Sequence, residues 1–279
     1  MDVVATSPYV GAEIQGVDLR QLTDAEFADI RQAFADHGVI FFRDQDLAPQ
    51  EHLAFAERWG EINVNRFFTP VEGHPRIAEV RKEPDQLGNI GGAWHTDHSY
   101  DIEPALGSIL YAREVPPIGG DTMFASQYTA FERLTPAMQD TLLNLWADHS
   151  SRHVFGEASA YKEKFNNASA ATQDAVHPVV IEHPLSGRPA LYVNLAFTLR
   201  FHGWTDQESA PLLNFLYDHA ARPDYTTRFE WRPGSMAIWD NRAVQHNALN
   251  DYHGHRRLMH RITIEGGPIE PARALTRPV

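Results

Sequence analysis

The chain has 279 residues, of which 43% are hydrophobic and 22% charged, and its formal net charge is −13. Nucleic-acid binding and attachment to anionic membranes both depend on clustered basic side chains, so this charge argues against either kind of partner. The absence of cysteine excludes disulfides, thiolate metal sites and cysteine nucleophiles, which leaves imidazole and carboxylate as the ligands for any transition metal.

Helix signals occur at four places along the chain, each with capping residues ahead of apolar side chains at helical spacing. They predict helices over residues 23–34, 49–60, 135–146 and 205–216. Strands are predicted wherever β-branched and aromatic runs are bounded by turn residues. These runs are 38–42, 77–80, 107–112, 122–125, 178–182, 190–193, 225–231, 235–239 and 258–264. Because the strands outnumber the helices and do not alternate with them, we expect a mostly β fold, a jelly-roll or cupin-like barrel with flanking helices.

The pattern along the chain indicates a single domain over residues 1–279, since no repeat, linker or low-complexity segment interrupts it. Residues 1–20 lack the basic and apolar regions of a signal peptide. No apolar run approaches the roughly 20 residues that a membrane-spanning helix needs. We therefore expect a cytoplasmic location.

A His-x-Asp triplet, His95 and Asp97, is the densest chemical signal in the chain. In an extended segment these two side chains project to the same face, so they would reach one ion from the same side. A second histidine from a distant strand would complete a two-histidine, one-carboxylate set with three open positions, the geometry of non-haem Fe(II) oxygenases. The triplet alone is a weak signal, because such spacings also arise by accident.

Two segments near the C-terminus supply candidate partners for this triplet. His246 follows a predicted strand and its turn, and Arg257 and Arg261 share one face of the last predicted strand. Two guanidinium groups on one face favour a carboxylate-binding site, because their N–H groups match carboxylate oxygens. A solvated edge strand explains the same pattern.

Taken in this order, the triplet, the second histidine and the two arginines resemble the taurine dioxygenase / aryloxyacetate dioxygenase (TauD/TfdA) family of Fe(II)- and 2-oxoglutarate-dependent enzymes. The resemblance extends over almost the whole chain. It includes the segments 11–19, 42–45, 119–122, 238–242 and 256–261. The fold of that family is a double-stranded β-helix, which agrees with the predicted strands.

The resemblance implies a role for several of these residues. His95, Asp97 and His246 would hold Fe(II). Arg257 would pair with the distal carboxylate of 2-oxoglutarate, and Thr122 would donate a hydrogen bond to it. The implied reaction hydroxylates the substrate with O2 and releases succinate and CO2. Related halogenases lack the carboxylate ligand, so the presence of Asp97 favours hydroxylation.

The substrate side of the resemblance is weaker. Arg261 would lie near the cosubstrate and would bind the anionic head of the substrate. Asn65 and Phe68 occupy the segment where the taurine enzyme has a histidine and a tyrosine, and Gly91 stands where that enzyme has an asparagine. Phe68 and Phe197 suggest an apolar wall, although both are also typical core residues. We expect an aryloxyalkanoate, an alkyl sulfate ester or a sulfonate other than taurine.

Two other functions remain open at this point. A metal-dependent hydrolase or isomerase on a cupin-like barrel would use the same ligands but would have no use for Arg257 and Thr122. A non-catalytic protein that binds small anions would need no metal. The family resemblance also suggests a homo-oligomer, a dimer or a tetramer.

Overall fold

Strands outnumber helices in the computed structural model, which describes residues 1–157, 159 and 167–273. The helices are α1 (Asp24–His37), α2 (Pro49–Glu57), α3 (Gln127–Glu132), α4 (Pro136–Leu142), α5 (Arg152–Phe155) and α6 (Asp206–Ala220). The strands are β1 (Asp2–Ala5), β2 (Ala12–Gln15), β3 (Val39–Phe42), β4 (Ile62–Asn63), β5 (Thr69–Val71), β6 (His74–Lys82), β7 (Gly107–Glu114), β8 (Thr122–Ser126), β9 (Trp146–Ser150), β10 (Asp174–Pro178), β11 (Val180–Glu182), β12 (Pro189–Leu191), β13 (Thr198–Phe201), β14 (Thr226–Phe229), β15 (Met236–Asp240), β16 (Val244–Ala248), β17 (Arg257–Ile264) and β18 (Glu270–Pro271).

A nine-stranded sheet and a three-stranded sheet form the barrel. The large sheet has the order β1-β2-β3-β15-β7-β17-β6-β5, with β4 also paired to β17, and the small sheet has the order β14-β8-β16. Two further three-stranded sheets, β10-β9-β13 and β12-β11-β18, complete the fold. The predicted class, a mostly β jelly-roll core with flanking helices, is confirmed.

The core between the two barrel sheets is aromatic. Phe41, Leu110 and Trp239 of the large sheet pack in one buried cluster with Phe124 and Val244 of the small sheet. Apolar side chains therefore alternate inward along β3, β7 and β15, as expected for strands with one face toward a core.

The outer face of the large sheet is covered by α1 and α2. Helix α1 begins with a reciprocal capping box between Thr23 and Glu26, and it ends at Gly38, whose φ of 72° is left-handed. Ile30 and Phe34 of α1 are fully buried in the cluster that joins this helix to the sheet. The helices thus leave the inner face of the sheet free to carry the site.

The third predicted helix is wrong at its C-terminal end. Thr135 caps α4 by accepting from the Met138 amide, but the helix ends at Leu142, and Trp146 begins β9. The side chain of Asn144 donates to the Asp140 carbonyl at 2.6 Å, which satisfies one of the carbonyls at the end of the helix. Trp146, which the sequence pattern included in a helix, therefore begins β9 instead, because this strand pairs with β10 and β13.

Among the described residues, no helix is both long enough and apolar enough to cross a bilayer.

Candidate active site

Backbone pairing brings the two predicted histidine ligands together. His95 forms an isolated antiparallel bridge with His246 of β16. The His95 amide donates to the His246 carbonyl at 3.1 Å, and the His246 amide donates to the His95 carbonyl at 2.9 Å. Asp97 lies in the turn that follows rather than in an extended strand, which corrects the expectation of one continuous extended segment. All three side chains nevertheless converge.

The three side chains have the geometry of a metal site. One ligand atom from each of His95, Asp97 and His246 lies within 4.8 Å of the other two. His95 Nε2 is 3.6 Å from Asp97 Oδ1, and His246 Nε2 is 3.7 Å from Asp97 Oδ2. Ligands placed about 2.1 Å from one ion at right angles lie roughly 3 Å apart, so a small adjustment would close these distances. The mixed nitrogen and oxygen set fits a divalent transition metal.

Hydrogen bonding and burial prepare these groups as ligands. The Nδ1–H of His95 donates to the Ala93 carbonyl at 2.7 Å, which leaves the Nε2 lone pair for a metal. Burial, with His95 adjacent, holds the pKa of His246 well below its usual range, so this imidazole is neutral. Burial alone would raise the pKa of Asp97, but Arg261 and the two histidines outweigh it and hold that pKa well below its ordinary value. The Asp97 carboxylate, the neutral His246 imidazole and the free Nε2 of His95 therefore face one point.

Arg261 is tied directly to the carboxylate ligand. Its Nη2 lies 2.7 Å from Asp97 Oδ2 and donates to Ser108 Oγ at 2.8 Å, while Ser108 Oγ donates to Asp97 Oδ2 at 3.3 Å. The guanidinium carbon lies 5.9 Å from the Phe68 ring centre and 5.8 Å from that of Trp239. Arg261 thus lies near two aromatic rings and in contact with a predicted metal ligand.

Arg257 lies at a separate small cavity of about 50 Å³ that also reaches His95, His246 and Arg261. It is only 5% exposed, yet its Nε and Nη2 have no hydrogen-bond partner within the described part of the chain. Thr122 lines the same cavity, and its hydroxyl accepts from the Trp231 indole at 3.0 Å, so its own O–H remains available to donate. Burial lowers the pKa of Arg257. A buried cation with unpaired donors is costly unless an anion meets it.

A larger cavity of about 490 Å³ opens on the other side of the predicted metal ligands. Asn65, Phe68, Gly91, Phe197 and Arg261 all line it, so the structure brings every predicted substrate residue to one space. Asn65 is partly structural there, since its Oδ1 accepts from the backbone amides of residues 67 and 68 at 2.9 and 3.2 Å.

The apolar wall of this cavity is also a small core of its own. Phe197 packs in a buried cluster with Phe67, Tyr100, Phe155 and Ala171. Phe197 is therefore a core residue and also part of the cavity wall, because its buried cluster lines the cavity.

Gly91 comes very close to a predicted ligand. Its φ of 78° is left-handed, and a Cβ built on it would lie 3.3 Å from His95 Cε1. The loop that carries it is held to β16, where the Ala248 amide donates to the Gly91 carbonyl at 2.9 Å. Glycine is therefore suited to this position.

Sequence reasoning missed Ser108, Tyr100 and Trp239. Ser108 and Trp239 lie on strands that were predicted, but nothing in the linear sequence shows that they face the site. Their position is evident only from the strand register, in which Ser108 pairs with Trp239 of β15 and with Thr263 of β17. His260, which precedes Arg261 on β17, is 8% exposed and accepts from Arg113 Nε at 3.1 Å.

Comparison with known proteins gives a consistent result. The model of the family described as "Taurine catabolism dioxygenase TauD, TfdA family" matches residues 2–263. An alpha-ketoglutarate-dependent sulfate ester dioxygenase of Pseudomonas putida is 33% identical over 95% of this chain and 90% of its own length. An alpha-ketoglutarate-dependent sulfonate dioxygenase of Saccharomyces cerevisiae is 33% identical over 90% of this chain, which spans only 63% of that longer protein.

A solved structure agrees with these sequence matches. A taurine dioxygenase from Burkholderia xenovorans superposes with a TM-score of 0.82 at 34% identity, covering 96% of this chain and 92% of that one. The predicted jelly-roll fold and the predicted enzyme class, a dioxygenase, are therefore confirmed. The chain belongs to the taurine catabolism dioxygenase TauD, TfdA family.

Proposed function

We propose that this protein is an Fe(II)- and 2-oxoglutarate-dependent dioxygenase that hydroxylates a small organic anion with an apolar body. The observation that carries the proposal is the position of Arg257, a buried guanidinium with unpartnered N–H groups, at a cavity shared with the His95 and His246 ligands. The alpha-ketoglutarate dependence named for the yeast and Pseudomonas relatives supports it.

His95, Asp97 and His246 would hold Fe(II), because their donor set and spacing fit that ion. Bound there, Fe(II) with 2-oxoglutarate and O2 supplies the oxidation that converts a C–H bond to C–OH, with succinate and CO2 as co-products. The work of the protein is to place the reactants and to exclude water.

Arg257 and Thr122 would bind the distal carboxylate of 2-oxoglutarate. Both side chains line the small cavity, which supports a role for the pair in binding one anionic group. The free N–H groups of Arg257 match two carboxylate oxygens, and the Thr122 hydroxyl adds a donor. This pairing would offset the cost of burying the Arg257 charge.

The large cavity would take the primary substrate. Arg261 lies at its inner end, next to the metal ligands, and its buried Nε has no partner among residues 1–157, 159 and 167–273. Phe68 and Phe197 line the same space, which suits an alkyl or aryl body. An alkyl sulfate ester, an aryloxyalkanoate or a sulfonate other than taurine has this combination of one anionic head and an apolar body.

The two other functions explain less of the site. A hydrolase or isomerase would leave the Arg257 and Thr122 pair without a ligand. A simple anion-binding protein would not need three converging metal ligands beside two arginines.

The first test determines whether the protein binds 2-oxoglutarate as its cosubstrate. Addition of 2-oxoglutarate to the oxygen-free Fe(II) protein should produce the weak visible charge-transfer band of a chelated keto acid. Arg257→Met should weaken 2-oxoglutarate binding by roughly 100-fold, since it removes hydrogen bonds to a charged group. Arg222→Met, at a half-exposed surface ion pair, is the matched control. No band, together with unchanged affinity in Arg257→Met, would contradict the proposal.

The second test determines which class of primary substrate the protein oxidises. Octyl sulfate, octanesulfonate, phenoxyacetate and taurine should be compared by the succinate that each one releases, with Arg261→Met as the control. We expect taurine to be the poorest of the four. A clear preference for taurine would contradict the assignment of an apolar pocket.

A further inference from the structure

Ser108 lies at the centre of the site but belongs to neither the metal ligands nor the cavity lining. It is on β7 with 0% of its surface exposed, between Trp239 on one neighbouring strand and Thr263 on the other. Its side chain would be an isolated polar group in the core if it did not meet Asp97 and Arg261. A buried hydroxyl of this kind needs partners, so its contacts define what it does.

The hydroxyl closes a three-membered polar network. It accepts from Arg261 Nη2 at 2.8 Å and donates to Asp97 Oδ2 at 3.3 Å, while the same two charged groups lie 2.7 Å apart. Only a group that both accepts and donates can join a cation to an anion in this way. Alanine would remove both bonds and would leave Arg261 held by Asp97 alone.

One Arg261 nitrogen, Nη2, is therefore committed to the network, and the buried Nε is left without a partner within the described ranges. The guanidinium carbon also lies 5.9 Å from the Phe68 ring centre and 5.8 Å from that of Trp239. Together these contacts decide which N–H faces the large cavity.

The geometry points to Ser108 as a positioning residue that holds Arg261 in the orientation that binds the anionic head of the substrate. The inference rests on the proposed function, because it assigns a substrate anion to Arg261. It predicts that loss of the Ser108 hydroxyl weakens binding of anions and spares binding of neutral molecules with the same apolar body.

The experiment compares octyl sulfate with 1-octanol by calorimetry on the oxygen-free protein loaded with Fe(II) and 2-oxoglutarate. Ser108→Ala should weaken octyl sulfate binding roughly tenfold, the size of one hydrogen bond to a charged group, and leave 1-octanol unchanged. Ser108→Thr should restore much of the loss. An equal loss for both ligands would show a general packing defect and overturn the assignment.

A double-mutant cycle decides the matter even if Ser108→Thr does not fold. In an Arg261→Met background, Ser108→Ala should have no further effect on octyl sulfate binding. Additive losses would mean that Ser108 acts independently of Arg261, which overturns the inference. The charge-transfer band of the wild-type protein separates this failure from a failure of the proposed function, since the band depends on the metal and 2-oxoglutarate alone.

Discussion

The imidazole of His52 is fully buried in α2, and neither of its ring nitrogens has a hydrogen-bond partner among the described residues. Burial, reinforced by the nearby charges of Arg113 and His260, lowers the pKa of His52 from 6.5 to about 3. The folded protein therefore holds this ring neutral while the unfolded chain protonates it near pH 6.5. The stability that His52 preserves is present above pH 6.5 and is lost as the pH falls toward 3.

His52→Leu should consequently make the protein less sensitive to acid. Between pH 7.5 and pH 5 the wild type should lose about 2 kcal/mol more of its free energy of unfolding than the variant. The reason is that His52 takes up one proton on unfolding, which lowers the free energy of unfolding by about 1.4 kcal/mol per pH unit below pH 6.5. Urea unfolding at the two pH values measures the difference. His253→Leu, at an exposed position, is the control, and equal pH dependence in all three proteins would contradict the prediction.

Asp97 is a predicted metal ligand and also the anion that balances the buried Arg261. Asp97→Ala should abolish succinate release. It should also lower the free energy of unfolding of the metal-free protein by about 3 to 5 kcal/mol, because the buried charge of Arg261 would lose its partner. The double variant Asp97→Ala/Arg261→Met should recover stability without recovering turnover. Persistent succinate release in Asp97→Ala would contradict the ligand assignment.

At the level of elements, the turn between β15 and β16 carries a buried ionic network. The carboxylate of Asp240 is fully buried, meets Arg242 Nη2 at 2.7 Å and lies 2.9 Å from His183 Nε2. Burial alone would raise the pKa of Asp240, but Arg242 and His183 lower it overall. Because β16 carries His246 six residues after Asp240, we expect this network to anchor a predicted metal ligand as well.

Asp240→Asn should therefore lower both the stability and the metal affinity. It leaves Arg242 with an uncompensated buried charge, so we expect a loss of about 3 to 5 kcal/mol in the free energy of unfolding. Asp174→Asn is a matched control, since it breaks the half-exposed pair with Arg152 and should cost less than about 1 kcal/mol. Chemical denaturation and Fe(II) titration measure the two effects, and equal stability losses in the two variants would refute the anchoring role.

The elements that were predicted correctly have strong local signals. Strand β17 ends in the β-branched run Ile262, Thr263 and Ile264, and α1 has its capping box and left-handed glycine. Strand β16 was missed because Gln245, His246 and Asn247 are polar and not typical of strands. It forms because β8 pairs with it across a separation of 118 to 126 residues in the chain, a contact that no local pattern reveals. The same contrast applies to the candidate site. Its charged residues can be predicted from their type and order in the sequence, whereas the position of Ser108 is evident only from the strand register.

For the molecule as a whole, the net charge of −13 opposes the approach of the proposed anionic substrate, whereas Arg257 and Arg261 at the site attract it. Screening should weaken this long-range repulsion, because the Debye length falls from about 30 Å at 0.01 M salt to about 10 Å at 0.1 M. We therefore expect the KM of octyl sulfate to fall as a weakly binding salt is raised over that range. A rising KM would mean that the arginines dominate the field at the cavity mouth.

Gly91 limits how this pocket can change over evolutionary time. A side chain there would be strained by the left-handed backbone and would press against the imidazole of His95. A lineage under selection for a more polar substrate cannot acquire a new donor at this position by one mutation without disturbing His95, a predicted metal ligand. Adaptation must instead proceed through Asn65, Phe68 or Phe197, where side chains already face the cavity. Single mutations at these positions thus change the shape of the cavity wall before they change how the anionic head of a substrate is recognised.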